Sequence, residues 1–183
     1  MKKGKVIIIS GASGVGKGSV LKEMLRRCPE LRFSVSATTR PPRPGERDGV
    51  DYTFVSKECF EKMIAEDAFV EYDNHAKNYY GTPRKQLEEK RALGHVILDI
   101  EPAGAKQVIE KVPDAVLVFI MPPSMEELER RLRGRGDTPE DQIRLRLRRA
   151  VWEMDQRSWY QHVVVNDNVS RCAGEILDII AHS

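Results

Sequence analysis

Cysteine is scarce in this chain, and the three present, Cys28, Cys59 and Cys172, are odd in number, widely separated and without a Cys-x-x-Cys pair. That excludes a disulfide scaffold, argues against a cysteine-held metal cluster and suits a reducing compartment. An excess of one charge is also lacking, since 30 basic and 28 acidic residues leave a net charge of +2. So near a balance speaks against a nucleic-acid partner. No apolar run approaches the roughly 20 residues that cross a bilayer. The start of the chain, two lysines and then a short apolar run, has the form of neither a signal peptide nor a membrane anchor. The expectation is a soluble, cytoplasmic protein with no membrane or nucleic-acid partner. Repeats and low-complexity tracts are absent, and 183 residues fit one domain that can bury a core without disulfides or structural metal.

What the chain does have is concentrated near its start. The apolar run Val6-Ile7-Ile8-Ile9 leads into Ser10-Gly11-Ala12-Ser13-Gly14-Val15-Gly16-Lys17-Gly18-Ser19, and a helix-forming stretch follows from Val20. Strand, glycine-rich loop and helix in that order form a phosphate-binding loop. Its glycines let successive N–H groups turn inward around an anion, and the helix adds the positive end of its dipole. Lys17 then reaches the outer phosphates of a nucleoside triphosphate. Gly18 departs from the common motif, which has a serine or threonine there to bind Mg²⁺. The hydroxyl comes one residue late, on Ser19. The expectation is a metal held mostly by phosphate oxygens and water, with Ser19 bonded to a phosphate.

Three further runs rich in β-branched residues, at 95–100, 115–120 and 162–166, resemble the first. Short and continuous, they read as strands buried on both faces. Helical patterns lie between and after them at 83–93, 103–111, 124–132, 139–157 and 171–180. This alternation predicts a parallel sheet between helices, with ligands beyond the carboxyl ends of the strands. Asp99 and Glu101 close one such strand as the loop closes another, so both are expected to face one cleft. Two stretches break the pattern, 33–80 with its Arg40-Pro41-Pro42-Arg43 and 130–139 with Arg130, Arg131, Arg133 and Arg135. Solvated loops are the plain reading of both. In a phosphate-binding fold, their arginine density reads instead as phosphate clamps, because guanidinium forks match phosphate oxygens.

Taken together, these residues resemble the guanylate kinase family over essentially the whole chain. The likeness rests on an ordered series: the loop 10–19, Phe33-Ser34-Val35-Ser36-Ala37-Thr38-Thr39-Arg40-Pro41-Pro42-Arg43, Asp51-Tyr52-Thr53-Phe54-Val55, Phe69-Val70-Glu71-Tyr72, Asn78-Tyr79-Tyr80-Gly81-Thr82, Leu98-Asp99-Ile100-Glu101 and Arg131-Leu132-Arg133-Gly134-Arg135-Gly136. The resemblance implies an α/β fold, a three-layer phosphate-loop kinase core with a parallel sheet, a mixed α/β GMP-binding insertion and a helical lid. The core would be 1–33, 81–125 and 155–183, the insertion 34–80 and the lid 126–154. It implies transfer of the γ-phosphoryl group of ATP to GMP, and to dGMP, with Mg²⁺ and with nucleotides as the partners. Homo-oligomerisation is left open.

By motif position, the resemblance puts the loop from Gly11 through Ala12, Ser13, Gly14, Val15, Gly16, Lys17 and Gly18 to Ser19, with Asn166, on ATP. A plain turn asparagine is the competing reading of Asn166. Arg40, Arg43, Tyr52 and Tyr80 would hold the GMP phosphate, and Ser36, Glu71 and Thr82 the guanine. Glu101 would lie close to GMP, and Asp99 near the metal through water. Lys17, Arg40, Arg43, Arg131, Arg135 and Arg146 would stabilise the group in flight, while Arg144, Arg148 and Arg149 read as a solvated helix face. Guanine offers adjacent N1–H and N2–H donors that one carboxylate accepts together, so Glu71 can select it over adenine. Ala103 stands where the family usually has glutamine and can supply no side-chain hydrogen bond. Both irregular stretches are expected to close over the nucleotides and exclude water.

Two other function classes remain to be set against this one. A non-catalytic guanylate kinase-like module that binds phosphorylated protein segments would have an eroded phosphate loop, whereas Lys17 and its glycines are intact. A regulatory nucleotide switch leaves the second set of phosphate ligands without a purpose. A different nucleoside monophosphate kinase should lack Glu71 in this setting.

Overall fold

Continuous β-branched runs prefer extended backbone covered on both faces, and they form the main sheet here. In the computed structural model, which describes residues 3–75, 77–134 and 139–183, this sheet has five strands. Their order is β2 (Arg32–Phe33), β7 (Val96–Asp99), β1 (Val6–Gly11), β8 (Val116–Met121) and β9 (His162–Val165), numbered along the chain. β2 pairs with β7, β1 with β8 and β8 with β9, all in parallel. The apolar residues of β1, β7 and β8 from Val6 to Ile9, Val96 to Leu98 and Val116 to Ile120 are buried. β9 departs from the sequence expectation, because Val163 and Val165 are exposed and only Val164 is fully covered. It ends the strand order, where one neighbour and the cover that goes with it are missing.

By its internal contacts the chain divides into two compact units. The first comprises Met1–Val6, Leu31–Asp99 and Ala103–Ala115. It holds a mixed sheet in the order β4 (Thr53–Phe54), β3 (Ala37–Thr38), β6 (Asn78–Pro83) and β5 (Phe69–His75). Helix α2 (Lys57–Ala65) starts at Ser56, whose hydroxyl accepts the Cys59 N–H, and it buries Phe60 against this sheet. Phe60 stacks on Phe69 at 4.3 Å and on Tyr79 at 5.1 Å, with Ala37, Val55, Met63 and Ile64 around them. β5 lies at the sheet's edge, and α4 (Pro102–Lys111) supplies the partners it would otherwise lack. Gln107 accepts the Tyr72 N–H and donates to the Tyr72 carbonyl, and Lys111 donates to the Phe69 carbonyl. The side-chain amide thus replaces a rung of the ladder. Helix α3 (Arg84–Arg91) follows β6.

The second unit comprises Ile7–Glu30, Ile100–Pro102 and Val116–Ser183. Its α1 (Lys17–Arg27) packs against α7 (Val169–Ala181), which is capped by the Asn168 side chain. Helix α5 (Met125–Arg133) begins at Ser124, whose hydroxyl accepts the Glu127 N–H, and α6 (Glu140–Asp155) ends in a short 3₁₀ turn. All five of the helices read from 83 onward are present, with ends within a few residues of expectation.

Candidate functional site

In the second unit the chain leaves β1 and enters α1 through two glycines in left-handed backbone, Gly14 at φ 89° and Gly16 at φ 91°. Close packing also demands both. A Cβ on Gly14 would lie 2.6 Å from Leu132 Cδ2, and one on Gly16 2.6 Å from Asn166 Nδ2. Gly16 caps α1 without a side chain, so the helix opens on its own N–H groups and the positive end of its dipole. Lys17 is half-buried there, with Gly18 and Ser19 exposed. Nothing lies within 4 Å of a Cβ placed on Gly18, so packing does not exclude a hydroxyl at this position.

The loop's backbone is held from outside by two of the expected site residues. The Val15 carbonyl accepts from Asn166 Nδ2 at 2.8 Å and from Arg131 Nη1 at 3.0 Å. In a trans peptide the next N–H points the opposite way, so this grip aims the Gly16 N–H away from both side chains. Arg131 also donates to the Asn166 carbonyl at 2.9 Å and, through Nε, to Glu127 at 2.7 Å. Burial and cross-loop bonding set Asn166, 2% exposed, apart from a plain turn asparagine. Arg135 lies outside the described residues.

Helix α6 presents its arginines unequally. Arg144 and Arg148 are exposed, whereas Arg146 and Arg149 are half-buried. Arg149 therefore does not belong to a solvated face. Its Nε donates to Glu153 Oε1 at 2.8 Å, and its Nη2 bonds Glu101 Oε2. Glu153 is 3% exposed, and its other oxygen accepts the Ser13 N–H of the loop at 3.2 Å. The i,i+4 spacing of Arg149 and Glu153 could have suggested their pairing. Nothing local in the sequence could have suggested Glu101.

In the first unit, Arg40 lies over the Tyr52 ring with its guanidinium carbon 5.3 Å from the centroid, and the Tyr52 and Tyr80 rings meet edge-on at 6.0 Å. Burial first, then the Asp99 and Tyr80 charges, push the Tyr52 phenol above its ordinary value. A residue not anticipated from sequence completes the group. Glu46 takes the Nη1 and Nη2 of Arg40 at 2.9 and 2.8 Å and also accepts the Arg43 N–H at 2.7 Å. The bond to Arg40 holds the Glu46 carboxyl below its usual range and raises Arg40 in turn. This pairing covers the Nη1/Nη2 edge of the guanidinium, whose Nη1 also donates to the Pro41 carbonyl, and Tyr80 adds a further side-chain bond to Arg40. Arg43 is exposed, and Ser36, half-buried, accepts the Thr53 N–H through its carbonyl.

Glu71 faces Thr82 across the β5–β6 ladder, and the Thr82 hydroxyl donates to its Oε1 at 2.6 Å. Both are buried, Glu71 at 5% exposure and Thr82 at 0%. Glu71 Oε2 fills the space where a Cβ on Gly104 would stand, 2.7 Å away. Burial raises the carboxyl to about 7, against the lowering effect of the Thr82 bonds. A lone carboxyl with one hydrogen-bonded oxygen and one turned to glycine is suited to a ligand that offers N–H donors.

Asp99 ends β7, half-buried. Among the described residues no group of three or more His, Cys, Asp or Glu is placed to hold a metal ion.

The sequence model for the guanylate kinase family matches residues 3–183. A guanylate kinase of Synechococcus sp. (strain JA-3-3Ab) is 46% identical over 95% of this chain and 81% of its own length. One of Mycoplasma mycoides is 50% identical over 98% of this chain, which spans 61% of that longer relative. The crystal structure of guanylate kinase from Anaplasma phagocytophilum superposes with a TM-score of 0.81 at 32% identity, covering 100% of this chain and 87% of that one.

Proposed function

The chain belongs to the guanylate kinase family, and on that premise we infer that it transfers the γ-phosphoryl group of ATP to GMP, giving ADP and GDP. The observation that carries this reading is the buried Glu71 carboxyl with Thr82, a base-recognising pair in addition to the phosphate loop. A non-catalytic module would need neither Lys17 nor the loop's glycines. In this reading the loop N–H groups, Lys17, Arg131 and Arg146 receive the ATP phosphates, a role the family resemblance gives to Arg135 as well. Arg40, Arg43, Tyr52 and Tyr80 receive the GMP phosphate, Ser36, Glu71 and Thr82 the guanine, and Glu101 lies near GMP. Segment 34–80 serves as the acceptor insertion and 126–154 as the lid.

The acceptor oxygen of GMP is already nucleophilic at neutral pH, so the protein needs no catalytic base. Its tasks are to bring two polyanions into line, to offset the charge spreading over the transferred group and to exclude water. Asp99 would hold Mg²⁺ through water, and the ion would supply positive charge to offset that of the phosphates. The thiol content supports a cytoplasmic setting. Among the described residues no helix is long and apolar enough to cross a membrane. A coupled assay of ADP production with GMP, dGMP, AMP, CMP and UMP tests the reading. Turnover is expected with GMP and dGMP alone, and comparable turnover of AMP would remove guanine recognition from Glu71.

A further inference from the structure

Arg149 stands outside the arginines assigned to nucleotide phosphates, yet it joins a carboxylate that holds the donor loop to a second carboxylate. The first is Glu153, nearly buried and bonded to the Ser13 N–H, and the second is Glu101, just after β7. Resting on the kinase reading above, we propose that Arg149 is a positioning residue for ATP. It neutralises Glu153 so that this carboxylate can hold the loop, and it fixes Glu101 through the same guanidinium.

Charge and geometry carry the argument. A carboxylate bonded to a loop built to receive a polyphosphate would repel that ligand, and a nearly buried carboxylate without a cation is costly. A planar guanidinium presents Nε and Nη2 in fixed directions and can bond two acceptors at once, here Glu153 and Glu101. A lysine ammonium at the same point keeps the charge and loses that geometry. The anchor is also local to the loop: Glu153 bonds Ser13, two residues before the Val15 carbonyl that Arg131 and Asn166 hold. The loop is thus held at two points, one by cationic and amide donors and one by an acceptor that depends on Arg149.

The test compares Arg149→Met, Arg149→Lys and Arg149→Met/Glu153→Gln with the unsubstituted protein. The readouts are KM for ATP, kcat and calorimetric affinity for a non-hydrolysable ATP analogue, with the melting temperature followed in parallel. Arg149→Met should weaken ATP and analogue binding about tenfold and lower kcat much less, with Arg149→Lys in between. The double substitution should recover most of the lost affinity, because glutamine keeps an acceptor for the Ser13 N–H without a buried charge. Arg148→Met, on the exposed face of α6, should match the unsubstituted protein. Unchanged analogue affinity in Arg149→Met overturns the proposal, as does a double variant no better than the single one. An unsubstituted protein that binds the analogue but transfers nothing to GMP would instead overturn the kinase reading, and the analogue titration would still decide on Arg149.

Discussion

On the proposed function, Glu71 makes guanine recognition depend on pH. Its carboxyl, raised by burial from 4.5 to about 7, would accept two N–H donors of guanine only when ionised. KM for GMP is therefore expected to be flat above about pH 8 and to rise roughly tenfold for each pH unit below 7. The pH profile of KM should lose that limb in Glu71→Gln, and discrimination against AMP should weaken. Stability runs the other way. A folded value above the unfolded one favours the protonated folded state, so the contribution is complete below 4.5 and is lost as pH rises through about 7. Denaturant titrations of the unliganded protein should show this decline, and its absence in Glu71→Gln would assign it to this residue. Glu71 and Thr82 were each legible as members of a motif, whereas the bond between them was not. The raised carboxyl was not, because it arises from burial against Gly104, 33 residues away in the chain.

Strand β5, which carries Glu71, packs on a small aromatic core, so an element can be tested through the residue that seats it. Phe60 of α2 stacks between Phe69 and Tyr79, and its removal leaves a cavity behind the β5–β6 ladder. Phe60→Ala is expected to cost about 3–5 kcal/mol of stability. It should also weaken GMP more than the ATP analogue in calorimetry, since Phe69 lies two residues before Glu71. Equal weakening of both nucleotides would deny this core its specific part in positioning Glu71. The elements themselves were largely readable. Periodicity located α3 to α7, and β-branched runs located β1, β7, β8 and β9. The two-residue strands β2 and β3 have no such signature, whereas the alternation Tyr52-Thr53-Phe54-Val55 reads as strand-like and β4 falls on it; the exposed side chains of β9 follow from its place in the strand order.

For the molecule as a whole, the proposed function carries the expectation that segments 34–80 and 126–154 order around the nucleotides, so that transfer proceeds without loss to water. Amide hydrogen exchange in both segments should slow most with GMP and a non-hydrolysable ATP analogue bound together. If each nucleotide protects only its own segment and the pair adds nothing, joint closure is wrong.

The phosphate loop, the alternation of strands and helices, and the series of motifs from Ser36 to Arg146 lie in local sequence, because backbone geometry and anion binding depend on residues a few positions apart. Local order also sufficed to point to a two-nucleotide kinase. Contacts between distant residues were not written there. Gln107 on the edge of β5, Arg131 and Asn166 on Val15, and Arg149 on Glu101 required the folded chain. A charged side chain reads alike in any sequence. Its role is set by burial and by the opposite charge that folding brings to it.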